Sequence, residues 1–373
     1  MTPVPDTERR RADIDAKQSR LGQILREMDC EWALLLMPAH VAWFTGGMNI
    51  RGLIADSERP GIFTNGLQRW LVCSNVDTQR LFEEELDGLG FQLKEWHWLT
   101  GRAGLLGEML AGKRVAVDRP FPNLPMMIDR LRPELRVLSA VDRERYLEVG
   151  KLTAHALEAT ARTLKLGERE EEIAAQVAHR LIRRGAEVIG VSVAADSRSR
   201  KFRRSGYTSV PVSESCLLQV TALKYGLHAT ASRTVAFSAV NSPLRQDYDA
   251  ACRSIAVYQF ASRPGGAVAE AAEDARRVLA GGPYEYEWRQ SQPGYGTGWF
   301  AAEELRRGGQ EEPFVAGQAV VWQARIGTAA LVDTVLIEES GPVCVTPCEG
   351  WPYKRIKIGE VAFDIPEILI RSS

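Results

Sequence analysis

A chain of 373 residues is long enough for two domains, and 45% hydrophobic with 25% charged residues is the composition of a soluble globular protein with a sizeable core. The 47 Lys and Arg against 48 Asp and Glu leave a formal charge of -1, so no global field favours nucleic acid or an anionic membrane. The polar opening MTPVPDTERRRADIDAK lacks the apolar stretch of a secretory signal, and no window approaches the roughly 18 apolar residues of a membrane span. A cytoplasmic protein is expected.

The first predicted helix covers 19–29, with Leu21, Ile24, Leu25 and Met28 on one face. EWALLLMP reads as a buried strand, followed by HVAWFTGG, an aromatic segment closed by two glycines as in a turn. QRWLVCS (68–74) is a strand, DTQRLFEEELDGLG a helix stopped by glycine, EWHW (95–98) strand packing, GKRVAVD (112–118) a strand, NLPMMIDRLRPEL a helix, and RVLSAVD (136–142) a last extended segment. This alternation predicts an α/β domain over residues 1–142.

From Arg143 the texture changes, and a second domain is expected over 143–373. A long amphipathic helix places Tyr146, Val149, Leu152, Ala156 and Ala159 on its buried stripe. A second helix follows, acidic in its first turns and basic at its end, which suits the helix dipole. Strand patterns then dominate: VIGVSVAA, SCLLQVTAL, HATASRTVAF, AVVWQARIG and LVDTVLIEES, with one more helix at PLRQDYDAACRSIAVYQFASRPG. Leu217 to Phe237 reads as two strands joined by a tight turn. Helices feeding an antiparallel sheet predict α+β.

Six scattered cysteines suggest free thiols, and Cys344 and Cys348 have no second pair nearby to complete a zinc site. No two of the five histidines stand at ligand spacing on one helix, and His155 and His179 read as surface or packing residues. Trp43, Phe44, Trp96, Trp98, Trp288, Trp299 and Trp322 read mostly as core. GYGTG lacks the spacing and context of a dinucleotide loop.

The order of segments, with GLHATASRT, GYGTG, GQAVVWQA and ALVDTVL at their places, resembles the creatinase/aminopeptidase P/methionine aminopeptidase family, the M24 peptidases with the pita-bread fold. The resemblance covers nearly all of residues 15–370. It implies a creatinase-like N-terminal α/β domain and a C-terminal pita-bread domain with a curved antiparallel sheet. It also implies a homodimer.

Active metallopeptidases of that family hold two metal ions with two Asp, one His and two Glu, because hard divalent cations and a bridging hydroxide need several anionic oxygens. The resemblance locates those five positions in this sequence. LQVTA has Gln219 for the first Asp, and GLHATASRT has Thr230 for the second while keeping Gly226, Ser232, Arg233 and Thr234. GYGTG has Tyr295 for the His. GQAVVWQA has Gln323 for the first Glu, and ALVDTVL has Val332 for the last while keeping Asp333 and Thr334. None of the five suits Mn²⁺, Co²⁺ or Zn²⁺, so no dinuclear centre and no cofactor are expected.

Alternation along the strands puts His228, Thr230 and Ser232 on one face and Gln219 and Thr221 on the partner strand's. Two outcomes remain open: a neutral pocket for a small polar or peptide-like ligand, or a collapsed core whose polar groups satisfy one another. Creatinase works without metal through a histidine on the loop before the first strand. RKFRRSGYTSVPVSES has none there, leaving Lys201, Tyr207 and the strand residue His228 as candidate acid/base groups. Arg200, Arg203 and Arg204 in the adjoining basic run are candidate contacts for an anion. Three functions follow: a metal-independent protein that binds or transforms a small ligand, a non-catalytic module that binds another protein, and a conventional Xaa-Pro peptidase.

Overall fold

A computed structural model describes residues 6–290, 292–307 and 310–372, which divide into two compact units, Met1–Asp142 and Arg143–Ser373. In the first, strands β1 (Trp32–Leu35), β2 (Gly61–Thr64), β3 (Arg69–Ser74), β4 (Gln92–Trp96) and β5 (Val115–Val117) form one mixed sheet in the order β4-β3-β2-β1-β5. The apolar runs at 33–36, 71–73 and 115–117 are buried on both faces, as expected of interior strands between covering layers.

The first helix is longer than its apolar stripe predicts. It runs from Asp6 to Glu27, because the polar turns before Ser19 still bury Ile14 and Lys17. HVAWFTGG is the helix Pro38–Thr45, not a turn. Proline opens that helix and Gly46 at φ +61 closes it, while the buried Asp118 carboxylate accepts hydrogen bonds from Leu36 N and Met37 N and meets His40 Nδ1 at 3.0 Å. RVLSAVD is not a strand either, since the helix Ala140–Thr163 begins inside it. β4 ends at Trp96, so Trp98 stands exposed at 62% and is not core.

The second unit holds β6 (Glu187–Ala195), β7 (Ser215–Lys224), β8 (Leu227–Ala236), β9 (Gly294–Thr297), the short ribbon β10 (Arg306–Arg307) and β11 (Gln310–Glu311), β12 (Ala319–Ile326), β13 (Ala329–Glu338), β14 (Gly341–Cys344), the hairpin β15 (Tyr353–Ile358) and β16 (Val361–Pro366), and β17 (Leu369–Ile370). Two four-stranded sheets result, ordered β17-β8-β7-β6 and β14-β13-β12-β9. β7 and β8 are joined by Tyr225 and Gly226 at φ +56 and +74, the two-residue turn with both central residues left-handed that suits a twisted hairpin. Helices Ala140–Thr163 and Glu170–Ile182 cover the first sheet through Leu157, Ile173 and Val177, and helix Ser242–Ala261 covers the second through Tyr248 and Ile255, in one core with Trp322 of β12.

The two sheets meet where β8 faces β13, and side chains make the join. Thr334 Oγ1 donates to Thr230 O at 2.7 Å and accepts from Thr230 N at 2.9 Å. Ser232 Oγ accepts from Val332 N at 2.8 Å and donates to Ala330 O at 3.3 Å. On the opposite pleat of the same strands, Arg233 is fully buried. Its Nε reaches Glu158 at 3.1 Å and its Nη1 reaches Asp333 at 3.4 Å. The retained SRT and DT residues are therefore the cross-link of the fold.

Candidate functional site

Gln219 and Thr221 on β7 stand directly opposite Ser232 and Thr230 on β8, and Gln323 on β12 stands opposite Val332 on β13. Tyr295 on β9 pairs with Val321. Its strand lies close against β12, since a Cβ at Gly294 would come within 2.6 Å of the Trp322 ring, so a glycine must precede the tyrosine. Four of the five positions thus lie on interior strands of the two sheets, and Tyr295 lies on the edge strand β9.

They divide into two groups. Thr230 and Val332 are fully buried, and Thr230 Oγ1 is satisfied by Thr221 Oγ1 at 2.9 Å. Gln219, Tyr295 and Gln323 line an open cavity of about 490 Å³ together with Arg203, Arg204, Arg325, Gln290, Gln292, Glu303 and Glu304. Gln323 Nε2 donates to Gln292 O at 2.7 Å. The Tyr295 hydroxyl hydrogen-bonds the Thr230 side chain, and burial pushes its pKa up, so it is a neutral phenol.

The cavity is not neutral, contrary to the expectation from sequence. Three guanidiniums and two carboxylates line it. Arg325 is the residue that sequence reasoning missed, although it sits two positions after Gln323 and so shares its face of β12. Only 9% exposed, it donates from Nη2 to Gln219 Oε1 at 2.7 Å. Burial lowers its pKa first, and the nearby Arg203 and Arg204 lower it further. Arg203 donates to Arg325 O at 2.9 Å and to Gln290 Oε1 at 3.0 Å, and it pairs with Glu287.

Of the other candidates, Arg203 and Arg204 line the cavity and Arg200 does not; Arg200 is exposed on the short helix Arg198–Lys201. Lys201 and Tyr207 are also exposed and outside its lining, Tyr207 at 51%. His228 is half-buried with Nδ1 3.0 Å from Gly298 O, which fixes the Nδ1–H tautomer, and burial lowers its pKa. It is a neutral structural imidazole beside the cavity lining. Trp322 packs in the core with Nε1 donating to Ser262, whereas Trp288 is exposed at 48% and is not core.

A profile of metallopeptidase family M24 matches residues 144–339, more than half of the chain. The chain belongs to metallopeptidase family M24. No match is found among curated proteins. Among solved structures, the prolidase from Pyrococcus horikoshii OT3 is similar at a TM-score of 0.75 and 17% identity over 89% of this chain and 98% of that one. Dipeptidase PepE from Mycobacterium ulcerans has a TM-score of 0.75 at 18% identity over 97% and 99%. The X-Pro aminopeptidase from Thermotoga maritima MSB8 has 0.75 at 15% over 95% and 99%. At these identities the likeness is one of fold: an N-terminal α/β domain and a C-terminal pita-bread domain.

The family name implies metal, and the residues of this M24 chain do not fit it. Two amides, a threonine, a phenol and a valine stand at the five positions, and a guanidinium is hydrogen-bonded to the first of them. Among the described residues no group of three or more His, Cys, Asp or Glu could hold a metal ion.

Proposed function

We propose that this M24 chain works without a dinuclear metal centre and binds a small polar or peptide-like ligand in the cavity between Gln219, Tyr295 and Gln323. The hydrogen bond from Arg325 to Gln219 carries the reading. It sets a fixed positive charge beside the position of the family's first aspartate, where a divalent cation would be repelled. The amides, the phenol and the guanidiniums instead offer directional donors and acceptors of the kind that orient a peptide-like molecule.

The prolidase and dipeptidase activities named for the structural neighbours are not carried over, because the two carboxylates of the cavity, Glu303 and Glu304, belong to no group of three or more His, Cys, Asp or Glu among the described residues that could hold the metal ions a bound hydroxide needs. The test is an Xaa-Pro dipeptide hydrolysis assay in added Mn²⁺ or Co²⁺, run beside a thermal-shift screen of amides, guanidino compounds and dipeptides. The expected result is no metal-dependent turnover, with ligand-induced stabilisation that Tyr295→Ala or Gln323→Ala removes. Metal-dependent turnover would overturn the reading.

A further inference from the structure

Arg325 also lines a second cavity of about 330 Å³ between helices Ser242–Ala261 and Val268–Leu279 and the end of β12. That volume is within the roughly 300–1,000 Å³ of small-molecule sites. Its walls are mainly apolar, from Tyr258, Leu279, Ile326 and the small residues Ala272 and Ala275, with Trp288 at its rim. Glu273, Arg276 and Glu287 also line it, and two largely buried residues, Tyr258 and Arg325, bring polar groups to it. Tyr258 is only 9% exposed and stacks on Trp322 at 4.9 Å, and its hydroxyl has no hydrogen-bond partner among the described residues. Arg325, equally buried, has one hydrogen-bond partner, the neutral Gln219 amide, and no carboxylate in ion-pair range among the described residues. A buried guanidinium without a counter-charge is costly, and an anion removes that cost. Arg325 lines both cavities, so an anion held by it can carry an apolar group on the far side.

We propose that the two cavities form one site for an apolar organic carboxylate, with Arg325 gripping the carboxylate, the aromatic or branched aliphatic group lying against Tyr258, Leu279 and Ile326, and the Tyr258 hydroxyl hydrogen-bonding a polar atom of the ligand. This rests on the reading above that no metal occupies the neighbouring positions. The carboxylate can be that of a free apolar acid or the C-terminus of a short peptide ending in an apolar residue. A free acid fills only the second cavity, whereas a peptide also reaches Tyr295 and Gln323.

The experiment is calorimetric titration of the full chain with 3-phenylpropionate, its uncharged amide, the dipeptide Gly-Phe and inorganic phosphate, each with and without EDTA. The carboxylates are expected to bind more tightly than the amide and than phosphate, with EDTA having no effect. Arg325→Gln keeps the polar contact to Gln219 and removes the charge. It should weaken carboxylate binding about 10–100-fold and leave amide binding unchanged. Ala272→Trp fills the cavity from its half-exposed rim and should abolish both, while circular dichroism shows the fold intact. Tighter binding of Gly-Phe than of 3-phenylpropionate, lost on Gln323→Ala, identifies the peptide source; the reverse order identifies the free acid. No carboxylate binding in either buffer would overturn the site while leaving the metal-free reading standing. Binding that EDTA abolishes would overturn both.

Discussion

The five positions that the family resemblance assigns to metal ligands fall into two halves that differ in what surrounds them. At Thr230 and Val332 the β8–β13 join is closed; the Thr221 and Thr230 hydroxyls hydrogen-bond each other, and the Ser232 and Thr334 hydroxyls satisfy backbone groups within it. At Gln219, Tyr295 and Gln323 the sheets leave an open cavity, lined by three guanidiniums and two carboxylates. The contrast teaches that residues placed alike by the family resemblance can have different structural surroundings. A small or apolar residue on a central strand lets the sheets close. A long amide or a phenol at the mouth keeps the cavity open and dictates what chemistry it can offer.

That contrast can be broken by restoring carboxylates to each half. Val332→Glu would put an unpaired carboxyl in a fully buried position and should cost about 3–5 kcal/mol in a denaturant titration. Gln219→Glu, the matching change in the open half, would pair with Arg325 and should stay within about 1 kcal/mol of the parent chain. Similar costs at both positions would mean that the halves do not differ.

The pH dependence of stability probes the buried pleat behind the closed half. Burial raises the pKa of Asp333 to about 6, the Arg233 guanidinium only partly offsets this, and its Oδ2 has no partner among the described residues. A folded-state value above the unfolded one means that the native protein binds the proton more tightly. This contribution is therefore full below about pH 4 and is lost as pH rises through about 6. It is worth on the order of 3 kcal/mol. Denaturation followed between pH 4 and 7 should show that loss, and Asp333→Asn should flatten it. Glu158, also raised by burial against the pull of Arg233, acts in the same direction. A smaller effect is expected from Ser232→Ala, which strands the buried Val332 N–H and should cost about 1–2 kcal/mol by the same titration. The exposed Lys201→Ala should change stability by less than about 0.5 kcal/mol and leave ligand binding unaltered.

Much of the fold was legible because the informative strands carry strong local patterns. The β7–β8 hairpin shows itself by apolar alternation around Tyr225-Gly226, and the long helix after Arg143 by its stripe, of which Tyr146, Val149 and Ala156 are buried. Short elements were lost because a four-residue strand such as β2 carries almost no period, and HVAWFTGG is so apolar that nothing separates a helix from a turn. For the site, the frames around Gln219, Thr230, Tyr295, Gln323 and Val332 were readable, but which of them close and which stay open depends on how two sheets meet. Arg325 had a usable signal in its i+2 relation to Gln323. Tyr258 and the second cavity had none, because they arise from the packing of helices Ser242–Ala261 and Val268–Leu279, which lie between the GLHATASRT and GYGTG motifs and carry no motif themselves.

The most direct test of the account is elemental analysis of the full chain after equilibration with Mn²⁺, Co²⁺ and Zn²⁺ and removal of free ions. The account predicts no stoichiometric metal in the parent chain, because Arg325 and the five non-anionic side chains leave it no cage. Two firmly retained ions per chain, lost when Gln219 and Gln323 are changed to alanine, would contradict it.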